Sequence, residues 1–298
     1  MKTIFNFDEL LRHLALREKR RRVSVVCPND ESTQIAVKKA LDEGFIDALL
    51  VGCDESAVNL FKNYGNRVQF FDANGADNAA KRAVALVREG EADILMKGLL
   101  NTDNLLHAIL NKETGILPQG RVLTHITCAQ IPQYKKFLFF TDAAVIPHPT
   151  KEQREEQLKY LLNICNAMGI EKPRVALINC SEKVNEKFFP FTLEYKELID
   201  KANNGDFGPC IIDGPLDLKT SLSSAALHKK GINSPLEGRS DAVIFPDIQS
   251  GNVFYKVITL FCKATTAAIL QGPLVPVVLP SRGDNSNSKF NSLALASI

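Results

Sequence analysis

The sequence predicts an α/β protein of two domains with largely parallel sheets. Short apolar runs rich in β-branched and aromatic residues recur along the 298 residues, and longer amphipathic stretches lie between many of them. Strands buried on both faces and alternating with helices point to parallel sheets covered by helices. At 45% hydrophobic residues the chain is long enough for one large or two medium domains.

In order, the predicted strands are VSVVC (23–27), ALLVG (48–52), RVQFF (67–71), ADILM (92–96), RVLTHITC (121–128), FLFFT (137–141), RVALINC (174–180), CIID (210–213), DAVIFP (241–246), AAILQ (267–271) and VPVVLP (275–280). Helical patterns fall at 32–43, 77–90, 101–112, 151–168 and 252–263. The fourth is the best signalled: Thr150 and Gln153 form a capping box, and Gly169 suits the end of the helix. Proline and glycine gather at 146–149 and 271–276. Cuts near them give a first domain of 1–141 plus 274–298 and an inserted second domain of 142–273. There is no Gly/Ser linker, repeat or low-complexity tract.

Charge and cysteine usage narrow the function. The 36 basic and 34 acidic residues leave a formal net charge of +2, too balanced for a general nucleic-acid or membrane-surface binder. Seven scattered cysteines without a C-x-x-C spacing read as small buried residues of a reducing cytosol. Asp8, Glu9 and Arg12 interrupt the apolar residues of the N-terminus, which therefore lacks a signal-peptide core, and no apolar run approaches the roughly 18 residues of a membrane span. The expected location is cytoplasmic. The basic bunch Lys19–Arg22 reads as a solvated helix end or as part of a polyanion site.

Open α/β sheets bind ligands at the carboxyl ends of their strands, where helix N-termini offer free amides to anions. Four such segments stand out. In ILMKGLLNTDNLL (94–106), Lys97 and Gly98 end a strand and Thr102 lies in the first turn of a helix, an anion pocket or an ordinary strand end. In FFTDAAVIPHP (139–149), Asp142 is a turn residue or a site residue. In FPDIQSGNVFYK (245–256), Asp247 follows a strand and Gly251–Asn252 open a helix carrying Tyr255 and Lys256; the glycine permits close approach of a ligand or of backbone. In LPSRGDNSNSKFNSLALAS (279–297), the planar donor fork of Arg282 matches the oxygens of a phosphate, Ser281 adds a hydroxyl, and Ser286 or Ser288 caps the helix that follows. There is no Walker A loop, GxGxxG, GxSxG or HExxH, and His13, His107, His125, His148 and His228 are isolated.

Taken together and in this order, LMKGLLNTDNLLHAILNKETGIL, TDAAVIPHPT, FPDIQSGNVFYK and LPSRGDNSNSKFNSLALAS resemble the phosphotransacylases, the phosphate acetyl- and butyryltransferase family, from about Ala92 to the end. The short length and NKETGIL look more like the butyryl branch. The resemblance implies two α/β domains with an interdomain active-site cleft, a homodimer or higher oligomer, and the reaction acyl-CoA plus phosphate giving acyl phosphate plus CoA. It implies no bound cofactor and no metal, with the CoA thioester as substrate, a place in short-chain fatty acid metabolism, and no nucleic-acid or membrane partner. Catalysis is assigned by resemblance to Arg282, which binds phosphate, and to Ser281, which bonds near the thiol or carbonyl; Asp284, close in sequence, is a candidate base. Lys97, Gly98, Thr102, Asp142, Asp247, Gly251, Asn252, Tyr255, Lys256 and Asn291 are carried over as phosphate- or CoA-binding. One position departs: where the acetyl branch has an aspartate proposed as the thiol's base, six residues after the arginine, this chain has Ser288. Two rival readings remain: a metal- and nicotinamide-dependent hydroxyacid dehydrogenase, which Asp142 and Asp247 alone do not furnish with a metal site, and a non-catalytic sensor of CoA or phosphate.

Overall fold

The computed structural model describes residues 2–281 and 283–298. In chain order the elements are α1 (Phe7–Ala15), β1 (Arg21–Val26), α2 (Glu31–Asp42), β2 (Ile46–Val51), α3 (Glu55–Phe61), β3 (Val68–Phe71), α4 (Ala76–Arg88), β4 (Ile94–Lys97) and α5 (Thr102–Leu110). There follow β5 (Thr124–Gln130), β6 (Leu138–Thr141), α6 (Lys151–Ala167), β7 (Arg174–Ile178), α7 (Phe191–Asn203), β8 (Ile211–Leu216), α8 (Leu218–Leu222), α9 (Ser224–Lys229), β9 (Ala242–Ile244) and α10 (Ile248–Leu260). The chain ends with β10 (Thr265–Gln271), β11 (Val277–Val278) and α11 (Ser286–Ala296).

Two compact units form, one of Phe7–Leu123 with Thr266–Ile298, the other of Met1–Asn6 with Thr124–Thr265. Both boundaries fall earlier in the chain than the expected cuts at 141/142 and 273/274. The reason is strand pairing: β6 bonds antiparallel to β5 and parallel to β9, so both precede the break the prolines suggested. At the other boundary, β10 pairs with β11 across Leu270 and Val277.

In the first unit the strand order is β3-β2-β1-β4-β11-β10, parallel from β3 through β11. Val23, Val25, Val26, Ile94, Leu95 and Met96 are all buried, so β1 and β4 are covered on both faces, which is why their sequences do not alternate. β11 is only two residues long because Pro276 and Pro280 lack the amides that a longer ladder needs. In the second unit the order is β5-β6-β9-β7-β8, parallel except for the β5/β6 pair. Its core gathers Leu138, Phe140, Ala176, Val243, Phe245 and Ile258. The capping box of α6 forms as expected, with Gly169 beyond the helix end at φ 78°.

Candidate functional site

In the first unit the carboxyl ends of β1, β4 and β11 open onto one cavity of about 440 Å3, lined by Asp30, Lys97, Gly98, Asn101, Asn104, Ser281 and Lys289 on its polar side. Ala76, Leu99, Leu100 and Pro280 complete the wall. Parallel strands bring this about: β1 pairs β4, and β4 pairs β11, so the three ends lie side by side and the following helices start there.

Each wall residue has a local cause. Lys97 is the last residue of β4 and 3% exposed; its ammonium donates to the carbonyls of Gly98 (3.3 Å) and Leu100 (3.1 Å), which curl under it. Gly98 is required by close backbone approach, because a Cβ there would sit 2.2 Å from the Cys27 carbonyl oxygen. That carbonyl accepts the Leu99 amide at 2.7 Å, locking the turn after β4 onto the turn after β1. Asn101 precedes α5 and Gly75 precedes α4, and neither helix start carries a side-chain cap.

Asp30 caps α2, accepting the Thr33 amide at 2.9 Å, and the same Oδ1 accepts from Ser32 Oγ and from the ammonium of Lys289 at 2.8 Å. Lys289, on α11, also donates to Thr33 Oγ1 at 2.9 Å. Burial pushes the Asp30 carboxyl up, but the donors Lys289, Thr33 and Ser32 outweigh it and hold the group far below the usual carboxylate range. The nearby Cys27 thiol is pushed up by burial, and Cys53 to about 12, chiefly by burial and then by Asp54. Both are thiols at neutral pH and poor nucleophiles, so neither is suited to carry an acyl group.

The Ser281 loop closes on itself. Asp284 Oδ2 accepts the Ser281 amide at 2.8 Å, the Asp284 amide donates to the Ser281 carbonyl at 3.1 Å, and Ser281 Oγ accepts the Gly283 amide at 3.4 Å. The expected cap of α11 needs correcting: the capping residue is Asn285, whose Oδ1 accepts the Ser288 amide at 2.9 Å, and not Ser286 or Ser288. Arg282 lies outside the described residues.

The strand ends of the second unit behave differently. Asp142, 2% exposed, accepts from Thr124 Oγ1 (2.7 Å) and from the amides of His125, Ala144, Val145 and Ile146. Asp247 caps α10 through the Ser250 amide at 2.8 Å, and so the helix starts at Ile248, ahead of the expected 252. A Cβ on Gly251 would lie 2.1 Å from the Asp142 carbonyl oxygen, so the close approach there is by backbone. Asn252 donates to the Ala143 carbonyl at 2.9 Å. Tyr255 packs against the core and Lys256 is exposed.

Of the predicted site residues, then, Lys97, Gly98 and Ser281 share one cavity. Thr102 is exposed in the first turn of α5 and is not part of that wall, Asp284 shapes the loop beside it, and Asn291 is buried within α11. Sequence reading missed Asp30, Asn104 and Lys289. Asp30 carried a usable signal, because VVCPND ends a strand and begins a helix as FPD does at Asp247. Among the described residues no three His, Cys, Asp or Glu side chains form a metal-binding group, and no helix is long and apolar enough to cross a membrane.

Comparison with known proteins adds an independent line. Residues 59–297 match the family described as phosphate acetyl/butaryl transferase. The chain is 36% identical over 298 residues to the phosphate butyryltransferase of Clostridium acetobutylicum, covering 99% of this chain and 98% of that one. It is 33% identical over 285 residues to the phosphate acetyltransferase of Thermotoga maritima, covering 95% and 96%. Among solved structures, a branched-chain phosphotransacylase from Enterococcus faecalis V583 matches with a TM-score of 0.81 at 29% identity, over 93% of this chain and 97% of that one.

Proposed function

The chain belongs to the phosphate acetyl/butyryl transferase family and is a phosphate acyltransferase; we propose that butyryl-CoA is its preferred thioester and that the cavity at the ends of β1, β4 and β11 seats the phosphate. The observation that carries the second part is the convergence there of Lys97, Gly98 and Ser281, from segments far apart in sequence, on a wall that also holds Lys289 and the apolar Ala76, Leu99, Leu100 and Pro280. The identity to a butyryltransferase along nearly the whole chain supports the first.

The reaction needs little from the protein beyond placement and charge. A phosphate oxygen attacks the thioester carbonyl carbon, the C–O bond forms, the C–S bond breaks, and CoA leaves as a thiolate that takes a proton from solvent. Holding phosphate in line with the carbonyl replaces a bimolecular encounter by an oriented one. Lys97, fixed by two carbonyls, is a pre-oriented cation for the phosphate. The Ser281 hydroxyl accepts only the long Gly283 bond among the described residues, which leaves its proton for the developing oxyanion. Arg282, next in sequence, is assigned the bidentate phosphate contact. Leu99, Leu100, Ala76 and Pro280 offer the acyl chain an apolar wall. With Ser288 in place of an acid and Asp284 bonded to its own loop, the leaving thiolate is stabilised by the cations around it. A thiol of ordinary pKa, about 8.5, needs no strong base for the reverse reaction at neutral pH.

The test is thiol release from acetyl-, propionyl-, butyryl- and isobutyryl-CoA, each with and without phosphate and with EDTA present. The expected result is phosphate-dependent release that survives EDTA and is fastest with butyryl-CoA. A faster rate with acetyl-CoA overturns the assigned chain length, and no release with any thioester overturns the transferase reading of this site.

A further inference from the structure

Lys289 is absent from every functional expectation the sequence raises, yet it is a charged side chain only 5% exposed, on the wall of the cavity. It comes from α11 and reaches Asp30, the cap of α2, so two helix beginnings are tied by one ion pair at 2.8 Å. Stability alone is a weak reason for such a pair. Desolvating two charges offsets most of their attraction, and apolar replacements of similar volume are often neutral or stabilising.

The hydrogen-bond inventory points to a ligand. An ammonium has three protons; those of Lys289 reach Asp30 Oδ1 and Thr33 Oγ1, and the third has no acceptor among the described residues. Asp30 is equally uneven: Oδ1 accepts from Ser32, Thr33 and Lys289, while Oδ2 is buried with no partner among the described residues. The unspent donor of Lys289 on this wall matches hydrogen phosphate, which accepts on its bare oxygens. The wall's described charges, Lys97, Lys289 and Asp30, sum to one positive charge and favour an anion.

We propose that Lys289 is a phosphate-binding residue of this cavity and that Asp30 is the positioning residue that holds its ammonium there. The inference rests on the reading of the cavity as the phosphate seat. It assigns the phosphate a second buried cation beside Lys97, and it gives the pairing of α2 with α11 a reason in the chemistry.

Removing Lys289 alone leaves Asp30 buried without its partner, so the decisive variant is the neutral pair Asp30→Asn/Lys289→Met, in which Asn still caps α2. The measurements are KM for inorganic phosphate, KM for butyryl-CoA and the unfolding midpoint. We expect the double variant to unfold cooperatively and to raise the phosphate KM about tenfold, the scale of one lost charge-assisted hydrogen bond, with the thioester KM within about twofold of wild type. Asp30→Asn alone keeps the cation but weakens its anchor from a carboxylate to an amide oxygen, and raises the phosphate KM by a smaller factor. Lys289→Arg, keeping the charge, recovers part of the loss. A wild-type phosphate KM in the double variant or in Asp30→Asn overturns the proposal. One control separates its failure from that of the underlying reading. If Lys97→Met raises the phosphate KM while the Asp30 and Lys289 variants do not, only this inference falls. If none of them raises it, the cavity is not the phosphate seat.

Discussion

The two units meet the same local problem, a parallel strand that ends and a helix that begins, and answer it in opposite ways. In the second unit the polar side chains turn back onto their own chain. Asp142 takes a hydroxyl and four amides, Asp247 caps α10, and Asn252 holds the Ala143 carbonyl. In the first unit the same kinds of residue border a cavity. Residue type does not separate them, because each has an aspartate cap, Asp30 or Asp247, and a glycine pressed against a carbonyl, Gly98 or Gly251. What separates them is how the chain continues. The 142–146 loop folds its amides over Asp142, whereas the turn after β4 draws the Lys97 ammonium onto carbonyls beside an open cavity. A strand end keeps room for a ligand when the next loop leaves a cavity beside it.

The largest expected effect tests the open side of that contrast. Arg282→Ala is expected to lower turnover at least about 100-fold, the low end for losing a preorganised charge at a developing anion, with the unfolding midpoint little changed. A steady-state assay with butyryl-CoA and phosphate, alongside thermal unfolding, checks both. Near-normal turnover in the folded variant removes the arginine from the chemistry and with it much of the reason for placing the reaction on this unit.

How much of this was legible in sequence follows the same line. Lys97 and Ser281 could be flagged because each stands where an apolar run stops, a local signal. Asp142 and Asp247 gave that signal equally well, and nothing local says that amides three or four residues on will satisfy them. Lys289 gave none: in GDNSNSKFNS it is one cation in a polar stretch, and its partner Asp30 lies near the other end of the chain. Only the packing of α11 beside α2 makes the pair. The α/β class was legible because burial on both faces writes itself into strands such as β4, β6 and β9. The unit boundaries were not, because the breaks at 123/124 and 265/266 lie beside strands whose partners are set by pairing, which local proline and glycine do not report.

Gly251→Ala probes the closed side with a smaller effect. Its Cβ would meet the Asp142 carbonyl at 2.1 Å, and the obstacle is backbone, so α10 or the loop must shift. Overpacking of this kind destabilises by about 1–3 kcal/mol. Denaturant unfolding should show that loss while the phosphate KM stays at the wild-type value. The opposite result, unchanged stability with a raised phosphate KM, would put a ligand where the structure has a carbonyl and erase the difference between the two units.

The smallest effect is the sharpest discriminator, because it compares two changes at one position. Asp247 accepts the Ser250 amide at 2.8 Å and the Ser250 hydroxyl at 2.9 Å, both through Oδ1, so its visible work is that of a cap. α10 leans on that cap, since only Gly251 and Ile258 among its residues are buried. Asp247→Ala should therefore lower stability by about 1 kcal/mol, and Asp247→Asn should restore nearly all of it, because asparagine caps about as well as aspartate. If the carboxylate instead served a ligand through its charge, asparagine would restore the stability and leave KM for phosphate or thioester changed. Unfolding and kinetics on the same two variants therefore divide the readings cleanly: recovery of both by asparagine makes Asp247 a helix cap, and recovery of stability alone returns it to the list of binding residues.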